Sequence, residues 1–190
     1  MPSTTIYLGM PACGKSTIMR AHVEALAQAP DAPFFFVVDH DDSWQFGQVY
    51  HSIEEWWASP SPLAVFRGVP ALAVAQLAID VGWAVFVDDE VDGALEGWKE
   101  SPLREIVKRG RHLRNRAGRV TQVSAMIATH RPSNLPTDVV GLFDRAYIGK
   151  LMSAADAERI YREGWMVGDI YSIRDALAAK QPGEFTVWPE

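Results

Sequence analysis

Hydrophobic residues along this chain fall into short unbroken runs, separated by stretches with helical spacing. Ile6 to Leu8 form an apolar run that feeds directly into a glycine-containing loop. "PFFFVVDHDD" and "WAVFVDDE" are apolar runs that end in acids, and "TQVSAMIATH" and "RAYIGKL" are two further apolar runs, without terminal acids. Runs without alternation predict strands buried on both faces, because a strand with one wet face alternates apolar and polar positions. From Lys15, the spacing of Met19, Val23 and Leu26 predicts a helix that Pro30 stops. "SIEEWWAS" predicts a short helix, and "LAVFRG" a minor strand. "PALAVAQLAIDVG" predicts a helix with Pro70 at its start and Gly82 at its end. "SAADAERIYREG", opened by a serine cap and closed by glycine, predicts another. "DIYSIRDALAAK" predicts a further helix and "GEFTVW" a last strand.

Strands that alternate with helices in this way predict an α/β fold, a three-layer sandwich with a mainly parallel central sheet. Residues 1–190 carry no internal repeat, low-complexity tract or linker, so one domain is expected. In such sheets ligands bind at the C-terminal ends of the strands. The polar clusters sit there: "GMPACGKST" after strand one, "DHDD" after two, "DDE" after three and "THRPSN" after four.

The first cluster has a specific chemistry. Gly9, Gly14, Lys15 and Ser16 fit G-x-x-x-x-G-K-[ST] completely, between a strand and a helix, which predicts a P-loop NTPase; the RecA/ASCE-like type is what the resemblance carried by the later motifs implies. Glycines let backbone N–H groups turn inward around phosphates, and the helix that follows presents unpaired N–H groups to the same anion. Lys15 is expected to reach the β and γ oxygens, and the Ser16 hydroxyl to ligate Mg²⁺. The predicted nucleotide-binding set is Gly9, Pro11, Ala12, Cys13, Gly14, Lys15, Ser16 and Thr17, with Cys13 a small filler inside the loop.

"AVFVDDE" has the form of a Walker B element, an apolar strand delivering carboxylates beside that loop. Taken as the usual Asp–Glu pair, Asp89 partners Mg²⁺ and Glu90 is the base that deprotonates water. Asp88 competes with Asp89 for the metal, and spacing does not separate them. A catalytic Glu90 implies water as acceptor, hence hydrolysis.

Charge and cysteine content narrow the setting. Cys13 is the one cysteine, so no intramolecular disulfide forms and a reducing, cytoplasmic compartment is expected. The N-terminal "MPSTTIYLGM" lacks a basic lead and a long apolar core, so no signal peptide is expected. The longest apolar stretch, "ALAVAQLAIDVGWAVFV", carries Gln76 and Asp80, so no transmembrane segment is expected. The formal net charge of −6 argues against a simple nucleic-acid coat. Yet eight of the eighteen Lys and Arg residues lie between Lys99 and Arg119, against Glu100 and Glu105 alone. That stripe is either a solvated helix face or a surface for phosphates. Of the seven tryptophans, adjacent Trp56 and Trp57 suit core or subunit-interface packing, and Trp44 is a candidate to contact adenine.

From "RGRHLRNRAGRVTQVSAMIATHRPSNLPTDVVGLFDRAYIGKL" onward the chain resembles the FtsK–HerA superfamily of P-loop motor ATPases. The match runs through Ala128, Thr129, Arg131, Pro132, Ser133, Leu135 and Pro136, then Ile148, Gly149 and Leu151. "VVDHDDSW" and "GEFTVW" resemble the family's second and closing strands. The resemblance implies that His130 senses the γ-phosphate, at a position where the family usually has Gln. It implies an arginine supplied by the neighbouring subunit of a ring, best matched by Arg111, with Arg109 second. A homo-oligomer, by resemblance a hexamer, follows from that. It also implies ATP as the nucleotide, and no guanine-reading N-K-x-D motif is present.

Without membrane spans, winged helix or N-terminal barrel, the chain looks most like the genome-packaging ATPases of internal-membrane double-stranded DNA viruses. Such a motor would grip duplex DNA independently of sequence, dock on a capsid or membrane vertex protein, and work in the host cytoplasm or at the virion vertex. Three other functions remain open. A phage assembly or secretion ATPase of the zonula occludens toxin-like type is one. A small-molecule kinase is another, with Glu90 and "ATHRPS" against it. A nucleotide-gated binding module is the third, with the intact catalytic set against it.

Overall fold

Apolar runs pair edge to edge because burial leaves their backbone N–H and C=O groups no other partner. The computed structural model describes residues 3–91, 101–110 and 112–189. The chain runs β1 (Thr5–Leu8), α1 (Lys15–Ala27), β2 (Phe34–Asp39), β3 (Gln48–Tyr50), α2 (Ile53–Ala58), β4 (Leu63–Arg67) and α3 (Ala71–Val81). It continues with β5 (Trp83–Asp88), α4 (Pro102–Arg109), β6 (Gln122–Thr129), a 3₁₀ turn (Pro132–Asn134), α5 (Thr137–Val140) and β7 (Arg145–Ile148). Helices α6 (Ala154–Arg162) and α7 (Ile170–Ala179) precede β8 (Thr186–Trp188). The strands form one sheet in the order β3-β4-β2-β5-β6-β1-β7-β8. All neighbours are parallel except β8, which closes the edge antiparallel to β7.

The helix-end signals hold at α3 and only in part at α6. Gly82 ends α3 in the left-handed conformation, at φ 85°. The Ser52 side chain accepts from the N–H of Glu55, and that of Ser101 from the N–H of Arg104. Ser153 stands at the N-cap of α6 but makes no side-chain cap there, and Gly164 follows the helix at φ 67°.

The two faces of the sheet are covered unequally. On one, Trp56, Ala75, Leu103, Ile106, Ile160 and Leu177, from five helices, join Phe36, Phe66 and Phe86 of the sheet in one apolar cluster. Trp56 meets Phe36 edge-on, with centroids 5.0 Å apart at 84°, a geometry that adds about 0.5–1.5 kcal/mol to its burial. On the other face, α1 is the one helix contributing buried side chains among the described residues, through Met19 and Val23. Buried Trp44, from the loop after β2, adds to that cover, with partly buried Phe46 beside it.

Two expectations change. "LAVFRG" is no minor strand: β4 is internal to the sheet, between β2 and β3. Trp44 is 1% exposed and packs under the guanidinium of Arg20, so it is a core residue with no face for a base. Adjacent Trp56 and Trp57 do separate, one buried and the other 54% exposed.

Candidate active site

β1 ends at Leu8 in the interior of the sheet, and the chain must turn sharply there to begin α1. Gly9 makes that turn at φ 154°, where a Cβ would stand 2.5 Å from Cys13 Sγ and 3.3 Å from the Lys150 carbonyl. Ala12 and Gly14 also adopt positive φ, at 60° and 96°. The loop is pinned on both flanks: Met10 N–H donates to Lys150 O (2.8 Å), and Gly183 N–H to Cys13 O (2.9 Å). Buried Cys13 fills the space between Gly9 and Gly149. Gly14 is the N-cap of α1, and no side chain caps that terminus. An uncapped helix start behind a glycine turn is an anion site. Pro11, Ala12 and Thr17 lie exposed along it.

Lys15 is 4% exposed and folds back into the loop. Its ammonium donates to Gly9 O (2.7 Å), Met10 O (3.1 Å) and His130 Nδ1 (2.8 Å). An ammonium has no lone pair, so His130 accepts at Nδ1 and carries its ring proton on Nε2. The P-loop lysine and the residue at the end of β6 therefore touch directly.

The three acids at the end of β5 have separate surroundings. Asp88 is fully buried, and its Oδ1 accepts from His40 Nε2–H (2.9 Å) and from the Glu90 N–H (3.0 Å). Its Oδ2 is buried without a hydrogen-bond partner. Asp89 receives the Ser16 hydroxyl and lies 3.9 Å from Arg20. Burial pushes the Asp89 carboxyl above its ordinary range; the Ser16 hydroxyl opposes that, and the charges of Asp88 and Asp41 add to it. Glu90 is exposed. The hydrogen bond to Asp88 raises His40 above the usual imidazole range, against its own desolvation.

Ser16 and Asp89 together offer hard oxygen donors beside the anion loop, the chemistry that suits Mg²⁺. Ligand atoms of His40, Asp88 and Asp89 also lie within 4.8 Å of one another. A cleft of about 820 Å³ opens beside the loop, lined by Met10, Pro11, His130, Arg131, Met152 and Asp156.

The basic stripe is largely committed to internal pairs. Arg104 and Lys108 both hold Asp138 (2.8 and 3.0 Å), and exposed Arg109 pairs with Glu105 one turn back. Arg114 donates to Gly118 O (2.7 Å), and Arg116 lies 3.4 Å from Asp80. Arg111 lies outside the described residues.

Three participants were not singled out in the sequence. His40 is the polar residue directly after β2, within the "DHDD" cluster. Arg20, one turn into α1, bridges Asp89 and the Ser43 hydroxyl. The segment around Gly183 and Phe185 packs on Gly14 and Gly149, a tertiary contact without local signal.

The phosphate loop on β1, carboxylates on β5 two strands away, and the parallel order between them define the P-loop NTPase fold. No family model matches the sequence, and no curated protein matches it. Among solved structures, the chain is similar to the genome-packaging NTPase B204 of Sulfolobus turreted icosahedral virus 2 bound to AMPPCP. The TM-score is 0.70 at 14% identity, covering 98% of this chain and 91% of that one. The ATP-γS complex of the same protein gives 0.67 at 13%, covering 98% and 91%. B204, the DNA-packaging ATPase of Sulfolobus turreted icosahedral virus, gives 0.68 at 13%, covering 98% and 91%. These likenesses establish the fold over nearly the full length of both chains.

Proposed function

We propose that this chain is an ATP-hydrolysing motor that translocates double-stranded DNA and packages a viral genome. The observation that carries the proposal is the complete P-loop with Ser16 against Asp89 and exposed Glu90 one residue on. The shared fold with solved packaging NTPases supports it.

The triphosphate would lie in the Gly9–Gly14 turn, against the N–H groups at the start of α1. Lys15 would exchange His130 and the loop carbonyls for β and γ oxygens. Mg²⁺, held by Ser16 and Asp89, would supply charge neutralisation between the phosphates. Glu90 takes a proton from the attacking water as that oxygen bonds to the γ-phosphorus and ADP departs. His130, released from Lys15, senses the γ-phosphate.

Arg111, or in second place Arg109, would complete the site of a neighbouring copy in a homo-oligomeric ring, a hexamer by resemblance. Basic loops would hold the duplex through its phosphates, without reading sequence. A capsid or membrane vertex protein is the proposed docking partner, in the host cytoplasm or at the virion vertex. No helix among the described residues is long and apolar enough to cross a membrane.

Phosphate release from ATP, measured with and without linear double-stranded DNA, tests the proposal. A rise with DNA is expected. Hydrolysis indifferent to DNA overturns the translocase and favours an assembly or secretion ATPase. Transfer of the phosphate to a metabolite favours a kinase.

A further inference from the structure

β2 and β5 are adjacent and parallel, with Val38 opposite Asp88, so the residues just beyond their ends face one another. His40 reaches across that step. Its Nε2–H and the N–H of Glu90 both end on a single atom, Oδ1 of Asp88, at 2.9 and 3.0 Å. The other oxygen is buried and unpartnered. A dry carboxylate with one unserved oxygen depends on the donors at its other oxygen to stay in place.

The loop holding His40 is itself fixed. Asp39 accepts from Ser43 N–H (3.0 Å) and Arg67 Nε–H (2.9 Å), and Arg67 also donates to Trp44 O (3.0 Å). From these contacts we infer that His40 is a positioning residue for hydrolysis. It fixes the Asp88 carboxylate, Asp88 fixes the main chain of Glu90, and Asp89 is left to face Ser16. Asp88 is thereby an anchor and Asp89 the metal-side acid, a choice that spacing leaves open. The inference rests on Glu90 as general base.

Substitutions at His40 test it. Gln carries a donor to about the reach of Nε2; Asn stops short; Phe keeps the ring and has no donor. Three quantities are read for each: kcat for ATP, affinity for a fluorescent ATP analogue, and Mn²⁺ affinity by electron paramagnetic resonance. His40→Phe and His40→Asn are expected to lower kcat about 10- to 100-fold, the usual effect of losing an orienting partner. Nucleotide and Mn²⁺ affinities should stay unchanged, and His40→Gln should recover most of the rate. Should the Phe variant fail to bind nucleotide, the Asn and Gln pair carries the comparison.

Glu90→Gln runs alongside. If it is inactive while His40→Phe and His40→Asn turn over normally, the positioning role is overturned and Glu90 stands. Loss of Mn²⁺ affinity in all three His40 variants makes His40 a metal ligand and also overturns it. Normal hydrolysis by Glu90→Gln overturns the general base itself.

Discussion

Asp39 and Arg67 offer the sharpest test of how the loop after β2 is held. The Asp39 side chain has no exposure, and its two oxygens take Ser43 N–H and Arg67 Nε–H. Arg67→Met keeps the aliphatic stem and removes the cation, leaving a buried carboxylate with a single backbone donor. Breaking a buried pair from one side costs about 3–5 kcal/mol, because the remaining charge stays desolvated. The Arg67 side chain is 25% exposed, so water reaches the vacated space and the lower end, about 3 kcal/mol, applies. For a chain of this length that is a fall in Tm of about 6–12 °C. Asp42 touches the same guanidinium at 3.0 Å but is 76% exposed, so Asp42→Asn should cost less than about 1 kcal/mol. Urea and thermal unfolding of both variants measure the contrast. Equal, small losses would refute the assignment of Asp39 as a buried charge dependent on Arg67.

Gly110 packs on β6, and a Cβ there would stand 2.1 Å from the Val123 carbonyl. Gly110→Ala should therefore destabilise by about 1–3 kcal/mol or more in urea titration, since backbone must move. Gly149→Ala would place a Cβ 3.1 Å from Cys13 Sγ and 2.9 Å from Phe185. Its loss of nucleotide affinity should shrink when Cys13→Ala makes room, a coupling that a double-mutant cycle of ATP binding reads. Burial, with the charge of Arg145, holds His22 below its ordinary pKa of 6.5, so the unfolded chain takes up the proton first. The stability that neutral His22 contributes is thus present above about pH 6.5 and lost below it, and comparison with His22→Gln across pH 5–8 isolates the slope. Arg104 and Lys108 pull the Asp138 carboxyl down to about 2, so the link between α4 and α5 persists as pH falls past 3.8 and dissolves only near 2. Carboxyl NMR titration follows it.

The sequence made legible what depends on local chemistry and period. The apolar runs of β2, β5 and β6, the Pro70 and Gly82 ends of α3, and the P-loop turn all appear at their expected places. β3 escaped because its three residues, two of them not buried, carry no period. α4 was hidden by charge: its core contacts, Leu103, Ile106 and Val107, are spaced three and one apart among lysine and arginine. The inward fold of Lys15 onto His130, the contact of Gly183 with Cys13, and the separate fates of Asp88 and Asp89 join residues far apart in the chain. No window of sequence contains those pairs. His40 was visible only as a polar residue after an apolar strand, and its importance comes from strand order, which places β2 beside β5.

The most direct test of the central claim is phosphate release by Glu90→Gln at saturating ATP, with ATP affinity measured on the same sample. A general base contributes about 10²- to 10⁴-fold, so turnover should fall by at least about 100-fold while affinity holds. Turnover at the wild-type rate would contradict water activation by Glu90, and with it the hydrolytic motor.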